Sequence, residues 1–420
     1  MKRIVLVVCD GHRDDLVQAS LCPAICGLGR ESIRFGHHRS VYPSTTRVAS
    51  ASIATGCRPA RHGLHGNTMG LVSADGVQVH DVGPPGFRAA MRAATGATLR
   101  AQTMAERLAA HGGSIVFSNV SPGGAYFQDP DGHGHVYHRA GSYGPGEIAI
   151  AGDDALSVSH DGAGDRAMTE RFCREVLVER RPALAVLWLC EPDHAMHANI
   201  LGSPAHHAAI AAADACVARV AETVRALERR GDEILLLVGS DHGQESIETA
   251  VPVTERLVAA GLKESLDSPE VAVAPQGSAG LVYLAPRAAD RIAAIVDCLR
   301  AQDEIAEIHA GAALAEIGMA ASGCLAIAFS MAKRDAPNGF GVPGHTHVVA
   351  DSAKTPRAGI GQHGGLGRYE QSPFLMLRPP GGAAGRVETR ATSIIDIAPT
   401  ALGFLGLPAA GMDGRALPLR

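Results

Sequence analysis

Six Asp and His side chains stand at the ends of short apolar runs. Asp10 follows "RIVLVVC". Asp193 and His197 lie in "EPDHAMH" after "ALAVLWLC". Asp241 and His242 follow "EILLLVGS", and His363 sits in the Gly-rich "GIGQHGG" ahead of "PFLML". Taken singly, a strand-end Asp caps the next helix more often than it binds metal, and a Gly-flanked His is usually a polar loop residue. Taken together they are the carboxylates and neutral imidazoles that zinc takes in catalytic sites. Six such ligands suffice for two metals that share no residue, the arrangement that clamps an in-line phosphoryl transfer. Asp193 and His197, four apart, face the same way on one helical turn. A further stretch, "PSTTRVASASIAT", puts several hydroxyls at the start of a predicted helix. A helix N-terminus favours anions, and a hydroxyl beside a metal there would be an activated nucleophile. The alternative is that Ser44 or Thr45 merely caps the helix.

The elements that must position these groups are legible as alternation. The apolar runs lack polar/apolar alternation, as strands do when both faces are covered. Helical patterns such as "TLRAQTMAERLAAHG" and "HAAIAAADACVARVAETVRALERR" separate them. This rhythm predicts an α/β fold, a doubly wound, mostly parallel sheet with helices on both faces. Ligands in such sheets gather at the C-terminal strand ends, where Asp10, Asp193 and Asp241 fall. Two regions break the rhythm. Residues 120–165 are rich in Gly, Asp and His and read as a long loop, with His133, His135 and His138 as solvated loop histidines; His345 and His347 in "PGHTHV" are read the same way. Residues 251–335 carry their own strand–helix–strand pattern and read as a small inserted α+β cap. The core is then 1–250 and 336–420.

The bulk properties exclude several classes. Among 420 residues, 38 Lys and Arg face 43 Asp and Glu, for a net charge of −5. That balance provides neither a nucleic-acid stripe nor a polybasic membrane surface. Only Lys2, Lys263, Lys333 and Lys354 are lysines. Nine scattered cysteines without a C-x-x-C pair predict a reducing compartment rather than a disulfide framework. The apolar run Ile4–Cys9 is too short for a secretory signal, and no run approaches the ~18 residues of a membrane span. The expectation is a cytoplasmic protein acting on a small molecule, with its oligomeric state open. No G-x-G-x-x-G follows the first strand, and no Walker or G-x-S-x-G motif occurs.

Read in order, Asp10, "PSTTRVASASIATGCRPARHG", "EPDHAMH", "SDHG", "GQHGG" and the closing "IIDIAPTALGFLGLP" with "MDGRAL" resemble the alkaline phosphatase superfamily, within it the type I phosphodiesterase/nucleotide pyrophosphatase family. The resemblance implies two zinc ions, with manganese or iron as substitutes. Asp193, His197 and His363 would hold one; Asp10, Asp241 and His242, with Thr46, the other. Thr46, ten residues before Gly56, matches the family's nucleophile, and Asn67, 21 residues after Thr46, its phosphoryl-binding amide. The implied reaction is double displacement through phosphothreonine. Arg47, the candidate substrate-binding residue, departs from the aromatic that nucleotide pyrophosphatases typically carry there, and so suits a phosphomonoesterase. A phosphonoacetate-hydrolase-like C–P hydrolase is the other alternative, although its closely spaced lysine pair is absent. A sulfatase is disfavoured, because Thr cannot give the required aldehyde. A non-catalytic metal-binding protein is the distant alternative.

Overall fold

The computed structural model describes residues 1–351 and 357–419; Lys354 lies outside them. Its centre is a ten-stranded sheet. Five neighbouring strands run parallel: Glu233–Gly239, Lys2–Cys9, Leu184–Leu189, Ser114–Ser118 and His135–His138. Leu375–Arg378 adds antiparallel to Glu233–Gly239 and pairs with Ile33–Phe35 in turn. The first strand shows why its sequence has no alternation. Val5, Val7 and Cys9 enter one buried cluster, and Ile4, Leu6 and Val8 enter another on the opposite face. The long helix Pro204–Glu228 covers the first face through Ile210, Val217 and Val224. Helices Thr46–Thr55 and Ile397–Phe404 cover the second through Val48, Ile53 and Leu402. The fold is therefore the α/β, doubly wound architecture expected from the strand–helix alternation.

The stretch 120–165 is not the long loop expected. It holds the helix Pro122–Tyr126 and the strands His135–His138, Ser142–Gly144 and Ile148–Ile150, which extend the sheet to its edge. Strands of three or four residues are too short for periodicity to register, and Gly and Asp between them look like loop composition. Here those residues make turns instead: the Asp129 carboxylate accepts the backbone N–H groups of His133 (2.9 Å) and Gly134 (2.6 Å). His138 is buried, its ring nitrogen 2.9 Å from the Val120 carbonyl.

Between Val271 and Met331 the chain forms a four-stranded antiparallel sheet. Helix Ile292–Arg300 packs on one face, with Ile295 and Leu299 against Val282, Ile327 and Phe329. The other face, through Leu281, Tyr283 and Ala328, packs on the hairpin Thr68–Val72/Val77–Asp81. A third sheet joins Glu245–Val251, Lys333–Pro337, Pro343–Val349 and Gly361–Gln362. It carries the chain from His242 back towards His363. Among the described residues, no helix is long and apolar enough to cross a membrane.

The two-sided burial has a measurable consequence. Leu187 is fully buried in the central sheet, whereas Val387 on the edge strand Arg386–Glu388 is 58% exposed. Leu187→Ala is expected to cost about 2–5 kcal/mol in urea unfolding, and Val387→Ala no more than about 0.5 kcal/mol.

Candidate active site

The C-terminal strand ends bring the expected side chains together. Asp10 follows Cys9 directly, Asp241 and His242 follow the strand ending at Gly239, and Asp193 opens the one-turn helix Asp193–Met196 after Leu189. His363 arrives from the loop after Gly361–Gln362. Ligand-capable atoms of Asp10, Asp241 and His242 all lie within 4.8 Å of one another, and so do those of Asp193, His242 and His363. His242 is common to both groups. His197 Nε2 is 3.3 Å from Asp193 Oδ2, and its ring centroid is 5.3 Å from that of His363. The Asp10 and Asp241 side chains are at most 3% exposed, whereas that of His197 is 36% exposed. One group is thus enclosed and the other opens outward.

Thr46 enters this cluster at the first position of its helix, which ends at Gly56. Gly56 has φ +65°, a left-handed cap conformation that glycine adopts at no steric cost. The helix is buried nearly all round and made of small residues, so neighbouring backbone comes close. A Cβ on Gly124 would lie 2.7 Å from Val120 and 3.3 Å from the Thr46 methyl. The Thr46 hydroxyl donates to His242 Nε2 at 3.1 Å. That nitrogen is 3.4 Å from Asp10 Oδ1 and 3.3 Å from Asp241 Oδ2.

The donor set fits a cation. Asp10 Oδ1 and Asp241 Oδ2 are buried without a hydrogen-bond partner. Burial pushes both carboxyls up, Asp241 to about 6; the charges of Asp241 and Asp193 reinforce it at Asp10, and that of Asp193 at Asp241, where the Gly11 N–H works the other way. Burial also acts against Asp193, but the His197 imidazole beside it holds its carboxyl below the usual range. Burial lowers His242, and takes His363 down to about 3, so both rings are neutral at pH 7. Each is set in one tautomer by its other nitrogen: His242 Nδ1–H donates to the Gly243 carbonyl (3.0 Å) and His363 Nδ1–H to the Ser44 carbonyl (2.7 Å). Their Nε2 lone pairs therefore point into the cluster, as metal-ligating histidines require. Without a positive ion, this accumulation of buried acid is costly.

The sequence profile of the type I phosphodiesterase/nucleotide pyrophosphatase family matches residues 4–318. The chain belongs to this family. The family lies in the alkaline phosphatase superfamily; its members are metal-dependent and its chemistry is phosphoester hydrolysis. Solved structures share the fold. An inactive form of murine ectonucleotide pyrophosphatase/phosphodiesterase 5 in complex with AMP has a TM-score of 0.70 at 14% identity, covering 99% of this chain and 97% of that one. Phosphonoacetate hydrolase from Sinorhizobium meliloti 1021, in complex with phosphonoformate, has a TM-score of 0.68 at 18% identity, covering 96% of each chain. Human ectonucleotide pyrophosphatase/phosphodiesterase 5 has a TM-score of 0.66 at 14% identity, covering 98% and 97%. No curated protein sequence matches.

Asn67 lies beside the start of the Thr46 helix, where its Oδ1 accepts the Arg47 backbone N–H at 3.2 Å. The Arg47 side chain is engaged elsewhere. Its guanidinium binds the Asp81 carboxylate, the Asn67 carbonyl (2.6 Å) and the Ser121 hydroxyl (3.2 Å). His345 and His347 lie on the strand Pro343–Val349 of the third sheet, each 3.7 Å from Glu248. Several supporting groups escaped the sequence reading. Gly11 N–H donates to Asp241 Oδ1 at 3.2 Å, Gln244 Nε2 donates to Asp193, and the Gln276 side chain accepts Asn67 N–H at 2.7 Å. Gly11 directly follows Asp10, and Gln244 directly follows "SDHG", so both were findable there; Gln276, 209 residues from Asn67, carries no local signal.

The buried carboxylates make stability depend on pH and metal. Asp241 keeps its proton to about pH 6 in the metal-free fold but loses it near pH 4 when unfolded. Between these values the unfolded chain binds fewer protons, so stability falls as pH rises. Metal-free protein should therefore lose stability relative to metal-free Asp241→Asn between pH 4 and 6. At pH 7, added zinc should raise the unfolding temperature of the unsubstituted protein more than that of the variant. Thermal unfolding with and without chelator reads both effects; parallel pH profiles would contradict them.

Proposed function

We propose that this protein is a two-metal phosphodiesterase that works through a covalent phosphothreonine on Thr46. The observation that carries the reading is the Thr46 hydroxyl, at a helix N-terminus and 3.1 Å from His242 Nε2, beside Asp10 and Asp241. Asp10, Asp241 and His242 would hold one ion, and Asp193, His197 and His363 the other, with zinc suited to the mixed carboxylate–imidazole set. When bound, such ions supply the positive charge that lowers a hydroxyl pKa and offsets charge on phosphoryl oxygens. Thr46 Oγ1 then bonds to phosphorus as the bond to one alcohol oxygen breaks, and the alcohol leaves with the proton that Thr46 gives up. Water next splits the phosphothreonine and restores the hydroxyl. With Asn67 Oδ1 held by the Arg47 backbone, the NH2 end of that amide is left to donate to a phosphoryl oxygen of the substrate.

The surroundings favour a diester over the alternatives. A monoester brings a second negative charge, and the Arg47 guanidinium that would meet it is already committed to Asp81, Ser121 and the Asn67 carbonyl. We read Arg47 as a positioning residue for Asn67. A carboxylate clamp for a phosphonoacetate-like substrate needs free lysines. Lys333 pairs with Glu370 (2.5 Å) and Glu245 (3.6 Å), Lys263 donates to the Ser268 and Val271 carbonyls, and Lys2 begins the first strand at the end opposite Asp10. The nine cysteines are free thiols, which supports a cytoplasmic setting.

The test is turnover of bis-p-nitrophenyl phosphate against p-nitrophenyl phosphate with zinc present. The diester should have the higher kcat/KM. Thr46→Ala should lose about 10³-fold or more in kcat with zinc still bound, and Asn67→Ala roughly 10²–10³-fold. A preference for the monoester, or full activity in Thr46→Ala, would overturn the reading.

A further inference from the structure

A second cavity, of about 580 Å³, lies between the segment Arg39–Tyr42, the cap and the C-terminal segment. None of the metal-ligand candidates lines it, nor do Thr46, Asn67 or Arg47. Four arginines do: Arg39, Arg58, Arg390 and Arg415. Among the described residues none of the four forms an ion pair, and the one side-chain hydrogen bond is from Arg390 to the Ala416 carbonyl at 3.3 Å.

The carboxylates of the same walls are spoken for. Asp396 accepts the backbone N–H groups of Arg415 (2.7 Å) and Ser393 (2.9 Å). Asp413 accepts Arg58 N–H (2.9 Å) and Arg61 Nε (2.8 Å), and Glu316 faces His309 at 3.4 Å. These acids fold the backbone around the cavity and leave its guanidinium groups unpaired. Ser40, 7% exposed, also lines the space, and its Oγ is buried without a partner.

We propose that this cavity is a non-catalytic binding site for a small polyanion bearing two or more phosphate groups. The volume lies in the usual range of small-molecule sites, about 300–1,000 Å³. It is concave, unlike the extended groove that a nucleic-acid backbone requires. Guanidinium groups recognise phosphate bidentately, in a fixed fork. The four are exposed residues of the lining, and together they match a ligand with its charge at two ends. Nothing in the lining is arranged as a nucleophile, so the ligand is bound and not turned over. The inference stands independently of the chemistry at Thr46.

Calorimetric titration of the zinc-loaded Thr46→Ala protein with fructose 1,6-bisphosphate tests it, since that background removes the proposed nucleophile. The expected result is one site per chain that weakens as salt is raised. Adding Arg39→Gln and Arg415→Gln should weaken it at least tenfold while leaving the unfolding temperature unchanged. If that pair fails to fold, Arg58→Gln with Arg390→Gln provides the same test with the other two arginines of the lining. Binding that survives the arginine substitutions would assign the bisphosphate to the catalytic centre and overturn the proposal. So would an absence of binding up to about 10 mM.

Discussion

The concentration of carboxylate charge at one buried edge of the sheet governs the rest of the structure. Asp10 and Asp241 leave adjacent parallel strands side by side, with Asp193 from the next strand; among the described residues their ion-pair partners are all histidines. Burying such a group is unfavourable unless a positive ion joins it. Neutral imidazoles supply no charge: His242 and His363 stack at 3.7 Å between centroids, a contact that two charged rings would resist. The parallel sheet creates the problem, because its geometry puts every strand's C-terminal end at the same place. It also provides the solution, since the same convergence gathers enough ligands for metal.

Keeping that arrangement rigid takes a shell of ordinary hydrogen bonds. Gly11 N–H and Gln244 hold the carboxylates, and the Gly243 and Ser44 carbonyls hold the imidazoles. The loop bearing His363 is itself anchored by the buried Glu370 carboxylate. It accepts Gly365 N–H (3.0 Å) and Gly367 N–H (2.8 Å), and binds the Ser278 hydroxyl and Lys333. Lys333 also lies 3.6 Å from Glu245, so one lysine serves two buried acids. The Lys333–Glu370 pair therefore ties the strand Lys333–Pro337 to the His363 loop.

The local sequence carried the strands and their ends because their causes are local. "RIVLVVC" and "ALAVLWLC" are apolar on both faces and stop at polar residues, and the structure has strands at Lys2–Cys9 and Leu184–Leu189. The candidate ligands were legible for the same reason, as strand-end residues. Tertiary causes were not. The short strands between His135 and Ile150 owe their existence to pairing, the first with Ser114–Ser118 and each later one with the strand before it, not to their own pattern. The guanidinium of Arg47 is directed by Asp81 on a hairpin that no spacing rule connects to it. Gln276 reaches Asn67 only because Val271–Met331 folds onto the hairpin beginning at Thr68.

That last contact changes how the segment Val271–Met331 should be regarded. Gln276 accepts Asn67 N–H, and its amide donates to the Thr68 carbonyl at 2.6 Å. Tyr42, four residues before Thr46, donates to the Phe329 carbonyl at 2.9 Å in the same segment. Ser278 contacts the acid that anchors the His363 loop. The segment thus touches the supports of the hydroxyl, the amide and an imidazole at once. A lid that only covered a finished site would need none of these bonds. Since a displacement of about 1 Å at a reacting group costs rate steeply, the packing of this segment is part of what sets the geometry of the proposed reaction. Substitutions on its inner face then act on the supports of Asn67, Thr46 and His363.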